Sequence, residues 1–393
     1  MLITISNAPR EYSWGSRTLI PELEGRAPTG ATEAEIWYGD HPGSPSRLPD
    51  GRTLDAALAA AGAQPLPYLL KVLAAGMSLS IQAHPSKGEA VAGFAREEAA
   101  GIPRDAAERT YRDDNHKPEI IVALSDPFRA LVGLAPLERT RRLLAALGDG
   151  PGPRALAERL AGGDDRDVLR DTLAWVLSGS AQAEVDDLVR AVSSAESEEF
   201  AAELDVLRRI AADFAGDPGV VVALLMNLVV LRPGQALFAP AGVLHAYQDG
   251  LGVELMAASD NVLRGGLTPK HVDVDELLRI VDTTPGDAPV IEPRRAGRLE
   301  VYDVDVPDFA LARAAVVPGD ALRVPVNGPT IALVTGGTVT IATDAASVTL
   351  AAGEAAFASA DESQLTLQGE GEVFLATPGS GRDTPTRAQE ASI

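Results

Sequence analysis

Two histidines, a glutamate and a glutamine have side chains and spacing that could bind a divalent metal ion. Ser80, Gln82 and His84 alternate with apolar residues and therefore share one face of a predicted strand. Glu119 stands at the start of the apolar run IIVAL, and His245 follows the turn-rich stretch GQALFAPAGVL. With no cysteine in the chain, the set offers two nitrogens and two oxygens, which suits zinc or another first-row divalent ion. An open coordination position would make Lewis-acid chemistry available.

Each of these residues also has an ordinary structural interpretation. The polar face of a strand commonly faces solvent, which would explain Gln82 and His84 without a ligand. Pro85 ends the strand directly after His84, and Lys71 and Lys87 bracket it in an acidic chain. Those two features favour a ligand pair.

The second group lies in the segment DDNHKPE. A lone Glu before an apolar run is usually a solvated strand end, but His116, Lys117 and Glu119 crowd four positions, and Lys117 and Glu119 share a face. This crowding favours a site at least as much as a solvated rim. His245, taken alone, could be a hydrogen-bonded core histidine.

Downstream of His245, three more charged residues could contribute to a site. Glu254 alternates with Val253 and Leu255, so it should face the same interior as the metal. Asp260 and Arg264 lie four apart around a turn with two glycines. A salt bridge between them would brace the loop, and a held arginine would also be a well-placed donor to an anion or oxyanion.

The elements that position these residues predict a mainly β protein with an inserted helical domain. Residues 1–135 and 217–299 form the candidate metal-binding β domain, with short helices near 53–62 and in DELLRIVDTT and a helical segment at 88–112. The span 136–216 is rich in Ala, Leu, Arg, Asp and Glu with helical spacing of Leu, and accommodates four helices. Val220 to Val230 predicts a strand. Residues 300–378 return to short strands, and 379–393 form a tail predicted to be disordered.

An internal repeat separates scaffold residues from chemical ones. Residues 234–257 aligned with 353–376 at an offset of 119 give eight identities, all Gly, Ala or Phe at turn or packing positions. The second copy has Gln364 where the first has His245, and Val373 where the first has Glu254. The repeat predicts two related β units, of which only the first holds a metal; chance matching in an Ala-rich chain is the alternative.

Composition excludes several partners. The chain has 393 residues and a formal net charge of −22, so a polyanion such as nucleic acid or an anionic membrane would be repelled. The N-terminus lacks the apolar core of a secretory signal, and the longest apolar run, of about 12 residues, is too short to cross a bilayer. We therefore expect a cytoplasmic protein, which we take to be a monomer.

Several motifs carry a family resemblance. Gly234, Pro240, Gly242 and His245 match the second metal-binding signature of the cupin β-barrels, with Asp249 where that signature usually has Asn. Five segments together resemble the type I mannose-6-phosphate isomerases, which are cupin-fold zinc enzymes: WYGDHPGSPS, SLSIQAHPSK, DDNHKPEIIVAL, PAGVLHAY and GVELMAASDNVLRGGLTPKHVD. The resemblance implies two cupin-type (jelly-roll) barrels and one zinc ion per chain. It covers most of the chain outside the helical insert and the last hundred residues.

The resemblance also implies a role for each candidate residue. The zinc ligands would be Gln82, His84, Glu119 and His245, and Arg264 would be the active-site arginine. The positions proposed for proton transfer or substrate contact would be Lys117, His116, Glu254 and Asp260. The groups near the sugar phosphate would be Ser80, Lys71 and Lys87.

The implied reaction interconverts mannose 6-phosphate and fructose 6-phosphate through a cis-enediol, with one base reaching both C1 and C2. Lys117 would need a depressed pKa to be that base, whereas Glu254 or a His116–Asp260 pair would need less adjustment. Three alternatives stay open: an isomerase of another sugar phosphate or of free mannose, a cupin that binds sugar without turnover, and an iron cupin oxygenase.

Overall fold

The computed structural model describes residues 1–379, which form two antiparallel sheets and a group of helices. The strands are β1 (Leu2–Ile5), β2 (Glu35–Tyr38), β3 (Tyr68–Ala75), β4 (Gln82–Ala83), β5 (Glu119–Ala123), β6 (Phe128–Leu134), β7 (Met226–Leu231), β8 (Ala236–Ala239), β9 (His245–Ala257), β10 (Leu263–Arg264), β11 (Val290–Ile291), β12 (Arg294–Ala296), β13 (Leu299–Tyr302), β14 (Ala310–Val316), β15 (Leu322–Pro325), β16 (Thr330–Ala342), β17 (Ser347–Ala351), β18 (Ala355–Ala358) and β19 (Gln364–Thr377). The helices are α1 (Leu19–Leu23), α2 (Leu54–Ala60), α3 (Lys87–Ala99), α4 (Leu137–Ala146), α5 (Pro151–Arg159), α6 (Asp165–Leu177), α7 (Gln182–Ser194), α8 (Ala201–Asp213), α9 (Gly219–Leu224) and α10 (Val274–Ile280).

Strand β9 organises the first sheet. This sheet has 10 strands, β2 to β11, and β9 pairs with β3, β4, β5 and β6. His245 begins β9 and Glu254 lies near its end, so one strand positions residues at two points of the candidate site. Gln82 of β4 lies directly opposite His245 at the start of β9. Glu119 of β5 pairs with Met256 near the other end of β9, yet its carboxylate lies 2.7 Å from His245 Nε2, so both ends of β9 lie close to Glu119.

The helical insert is confirmed, with two corrections. Five helices, α4 to α8, occupy the span expected to hold four. Val220 to Leu224 lie in α9, whereas the sequence predicted a strand from Val220. A short apolar run that is buried on all sides has neither helical nor strand periodicity, so its type is not readable from the pattern. The helix α9 packs into the same core as the insert.

The second sheet repeats the arrangement of the first. It contains β12 to β19 and, at one end, β1, which pairs with β18 although residues 1–135 were expected in the first β domain. The offset of 119 residues places β8 on β18 and the first residue of β9 on the first residue of β19. Lys71 of β3 lies opposite Glu254 of β9, and at the equivalent place Ala314 lies opposite Val373. The second copy therefore keeps the register and replaces the charged pair with an apolar one.

One hydrophobic cluster joins the two sheets. It includes Tyr68 and Leu255 of the first sheet and Phe357 and Phe374 of the second. The Tyr68 hydroxyl lies 2.8 Å from the Pro329 carbonyl oxygen and 2.9 Å from that of Ala376. Within residues 1–379, none of the helices has the length and hydropathy needed to span a membrane. Apart from Gly379, the predicted tail lies outside the described residues.

Candidate active site

Three buried side chains converge to form a candidate metal site. The donor atoms of His84, Glu119 and His245 all lie within 4.8 Å of one another. His245 Nε2 is 2.7 Å from Glu119 Oε1, and His84 Nε2 is 3.4 Å from Glu119 Oε2. All three residues are nearly inaccessible to solvent. Three of the four sequence-predicted ligands are therefore adjacent in space.

Backbone carbonyl groups fix the orientation of both imidazoles. His84 Nδ1 lies 2.7 Å from the Asn261 carbonyl oxygen, and His245 Nδ1 lies 3.1 Å from that of Val243. Each Nδ1 must carry a proton to make its bond, so in the neutral ring the Nε2 lone pair points at the carboxylate. The buried His84 Nε2 has no hydrogen-bond partner among residues 1–379. Two lone pairs and a carboxylate directed at one point fit a divalent cation.

Electrostatics keep His84 and Glu119 in the protonation states that a metal requires. Burial, reinforced by the Lys117 charge, lowers the pKa of His84 to about 4. Burial alone would raise the pKa of Glu119, but Lys117 and the two imidazoles hold it well below its usual value. Lys117 Nζ donates to Glu119 Oε2 at 2.7 Å. At neutral pH the site therefore presents a neutral His84 and an ionised Glu119.

Two further predicted residues lie on the strands next to the start of β9, Gln82 on the adjacent strand and Arg264 on the one beyond it. Gln82 of β4 is directly opposite His245 of β9 and directly opposite Arg264 of β10. Directly opposite residues of antiparallel strands project to the same face. Gln82 is thus placed to supply an amide oxygen, and Arg264 lies one strand further from the metal site. Arg264 Nε is buried without a hydrogen-bond partner in the described part of the chain.

Lys71 and Glu254 form a buried ion pair. Lys71 Nζ donates to Glu254 Oε2 at 2.8 Å and lies 3.5 Å from Glu35 Oε1. Trp37 Nε1 donates to Glu35 at 2.8 Å. Although burial opposes the charge of Lys71, the two carboxylates raise its pKa, and burial raises the pKa of Glu254. Two carboxylates hold the Lys71 ammonium, whereas the family resemblance implied a position near the sugar phosphate.

The expected His116–Asp260 pair does not form. His116 Nε2 lies 2.7 Å from Asp308 Oδ2, in the loop between β13 and β14. Asp260 instead has His41 Nε2 at 3.4 Å from its Oδ1. This contact, together with the charges of Lys117 and Arg112, lowers the pKa of Asp260. Asp260 and Arg264 also form no salt bridge with each other within the described region.

Three cations near the site lack carboxylate partners within residues 1–379: Arg112, Arg264 and Lys270. Burial and the Arg112 charge lower the pKa of Arg264, and burial together with Arg264 and Arg112 lowers that of Lys270. Their mutual influence shows that the three lie close together. Arg112 and Lys270 are exposed and Arg264 is half-buried, so the cluster presents positive charge at the surface beside the site, which suits an anion. Ser80 and Lys87 were also expected near the sugar phosphate. Ser80 is half-buried, and the exposed Lys87 donates a hydrogen bond to Asn115.

Sequence reasoning missed six residues that surround the site: Glu35, Trp37, His41, Arg112, Tyr247 and Lys270. Period two would have found Tyr247, because it follows His245 by two positions on β9. The same alternation puts Glu35 and Trp37 on one face of β2. Nothing in the local pattern marks His41, which lies in a turn. A cavity of about 480 Å³ lies beside β1, β17 and β18, and none of the site residues lines it.

Fold and site together define a protein of two antiparallel sheets and a helical insert, with a buried candidate site for a divalent metal made of two imidazoles and a carboxylate. Residues 2–137 match the family model for the catalytic domain of type I phosphomannose isomerase. The mannose-6-phosphate isomerase of Escherichia coli (strain K12) is 35% identical over 385 residues, covering 93% of this chain and 97% of the relative. That of Homo sapiens is 30% identical, covering 85% and 87%.

Solved structures give the same result. A zinc-bound crystal structure of mannose 6-phosphate isomerase superposes with a TM-score of 0.86 at 33% identity, covering 96% of this chain and 100% of that chain. The chain belongs to the type I phosphomannose isomerase family.

Proposed function

We propose that this protein is a zinc-dependent aldose-ketose isomerase that interconverts mannose 6-phosphate and fructose 6-phosphate. The observation that carries the proposal is the convergence of His84, Glu119 and His245 in a chain 35% identical to a mannose-6-phosphate isomerase. Zinc would be held by these three residues and Gln82. When bound, it supplies Lewis-acid polarisation of a sugar oxygen.

The uncompensated cations account for recognition of an anionic sugar. Arg112, Arg264 and Lys270 would hold the phosphate and leave the carbon end of the sugar at the metal site. Arg264 is in register with Gln82 on the next strand, so its guanidinium also stabilises negative charge that develops on the enediolate oxygens. Lys71 keeps a supporting role, since it is bound to Glu254 and Glu35.

Proton transfer between C1 and C2 is assigned to Asp260. His116 is bonded to Asp308, Lys117 to Glu119 and the buried Glu254 to Lys71. Asp260 is the candidate with a half-exposed carboxylate, and its lowered pKa keeps it ionised and able to accept a proton. A carboxylate of this kind can reach both carbons of a bound cis-enediol from one side.

The architecture belongs to the same proposal. We propose that each sheet curls into a cupin-type jelly-roll barrel, the first formed by residues 1–135 and 217–299 without β1 and β12, the second by 300–378 with β1 and β12. Residues 136–216 would form a separate helical unit. The equal spacing of β8 and β9 and of β18 and β19 supports two related barrels. We further propose that the protein is a monomer, for which light scattering is the measurement.

The test compares two variants in the zinc-loaded protein. We expect the wild type to convert fructose 6-phosphate to mannose 6-phosphate, and His245→Ala to lose zinc and activity together. Arg264→Ala should keep about one zinc per chain and lose turnover by roughly 100-fold or more. Metal analysis and a coupled isomerase assay measure both quantities.

An exposed arginine of the second sheet provides the control, and Arg295→Ala should behave as wild type. Equal zinc loss in His245→Ala and Arg264→Ala would assign Arg264 a structural role. Absence of turnover with zinc, together with oxygen consumption with iron, would overturn the proposed function in favour of an oxygenase.

A further inference from the structure

His41 has a fixed ring orientation at the edge of the candidate active site. It lies in the turn after β2, with its side chain 10% exposed. The ring packs edge-on against Trp37 with centroids 5.0 Å apart. His41 Nδ1 accepts a hydrogen bond from the Gly43 backbone N–H at 3.1 Å. Because Nδ1 is the acceptor, Nε2 carries the proton of the neutral ring.

The proton on His41 Nε2 faces the carboxylate of Asp260. Nε2 lies 3.4 Å from Asp260 Oδ1. Within residues 1–379 no hydrogen-bond donor from another residue occupies Asp260 Oδ2, and the side chain is 49% exposed. One oxygen of the carboxylate is therefore held and the other is free to meet a ligand.

The backbone around Asp260 does not need His41. The Asp260 N–H donates to Asp113 Oδ2 at 2.8 Å, and the Asn261 side chain donates to the Asp113 and Asn115 carbonyl oxygens at 2.8 Å. The Asn261 carbonyl oxygen in turn binds His84 Nδ1. These bonds fix the loop to the metal site, so the contact from His41 acts on the Asp260 side chain alone.

We infer that His41 is a positioning residue, which orients the Asp260 carboxylate by holding Oδ1 so that Oδ2 faces the substrate. The titratable and charged groups facing Asp260 are His41 from the turn after β2 and Lys117 and Arg112 from the segment before β5. Among residues 1–379, His41 is the one side chain of these three with a direct contact to the carboxylate, so it sets the rotation of the Asp260 side chain. This inference rests on the proposed isomerase function, because the substrate carbon is what Oδ2 would meet.

The experiment is a double-mutant cycle in the zinc-loaded full chain. We expect His41→Ala to lower kcat about 10-fold with little change in KM or in zinc content. Asp260→Asn should lower kcat about 100-fold or more. The double variant should be no slower than Asp260→Asn alone, because His41 acts through Asp260. His41→Gln, whose amide N–H can replace the Nε2 donor, should restore most of the lost rate.

Two results would overturn the inference: multiplicative losses in the double variant, or equal losses in His41→Ala and His41→Gln. A structural role for His41 would lower the free energy of unfolding of both variants alike, which urea denaturation detects. Nitrogen NMR of labelled histidine provides a readout without turnover, and protonation of His41 at Nδ1 instead of Nε2 would contradict the assigned geometry. If the wild type itself is inactive, the proposed function fails while the NMR result still decides the tautomer.

Discussion

At the scale of residues, the candidate site is a set of pairs in which each group is held by one specific partner. Both ligand imidazoles donate from Nδ1 to a carbonyl oxygen, Lys117 binds Glu119, and Lys71 binds Glu254. Breaking such a buried ion pair leaves an uncompensated charge. The order of the site before metal binding thus comes from these pairs, and their protonation states decide when the site can bind zinc.

The pKa of His84 gives the metal-free protein a predictable pH dependence. The folded pKa is about 4, below the ordinary value of about 6.5. Between these two values the unfolded chain binds the extra proton, so stability falls as the pH falls through that window. From pH 7 to pH 5 we expect a loss of about 2 kcal/mol in the free energy of unfolding from this group.

Urea denaturation of the chelator-treated protein measures this loss, and His84→Gln is the matched variant. The pH dependence of the variant should be shallower by about the same 2 kcal/mol. Identical pH dependence in the two proteins would show that His84 is not buried in its neutral form.

At the scale of elements, the turn before β9 places His245 against His84. Gly242 has φ of +79°, and its N–H donates to the His84 carbonyl oxygen at 2.8 Å. A methyl group added at Gly242 would lie 2.8 Å from the Ile280 carbonyl oxygen.

Asp249, further along β9, accepts hydrogen bonds from Arg129 and from Arg209 of α8. This explains Asp where the cupin signature usually has Asn, since the carboxylate binds the helical insert to β9.

Gly242→Ala should therefore destabilise the fold and weaken zinc binding together. We expect a loss of about 2–3 kcal/mol, from the positive φ and from displacement of the turn. Gly51→Ala is the control, because Gly51 also has positive φ but has open space around it. Its loss should be about 1 kcal/mol, with no change in zinc affinity measured by chelator competition. Equal zinc affinity in both variants would contradict the role assigned to the turn.

How much could be read from the sequence differs between scaffold and site. Gln82 and His84 could be singled out as candidate ligands because polar residues at period two mark one face of a strand, whereas the full set of four candidate ligands was implied by the family resemblance. The side-chain partners of His116 and Asp260 could not be predicted. His116 binds Asp308 and Asp260 faces His41, and both contacts join residues far apart in the sequence. The helix α9 was missed because complete burial removes periodicity. The internal repeat implied that the two copies have equivalent strands. No local sequence pattern indicated that β1 pairs with β18 in the second sheet.

At the scale of the whole molecule, the hydrophobic cluster that joins the two sheets couples them. Tyr68→Phe removes a buried hydroxyl that contacts two carbonyl oxygens of the second sheet region. We expect a loss of about 1–2 kcal/mol in the free energy of unfolding. The backbone amide hydrogens of β3 and β14 should change their exchange rates in the same direction in this variant, because both strands lie against the same hydrophobic cluster. Separate unfolding transitions for the two sheets, seen by calorimetry, would contradict this coupling.

The pairing of β1 with β18 also sets an order of events during synthesis. Leu2 lies opposite Ala358, so β1 is without its neighbour until the residues between them have been made. At about 5–20 residues per second this wait lasts on the order of 20 to 70 s. The strands that carry His84, Glu119 and His245 are complete well before then. The strands that carry the candidate metal site can thus assemble while β1, still unpaired, awaits β18.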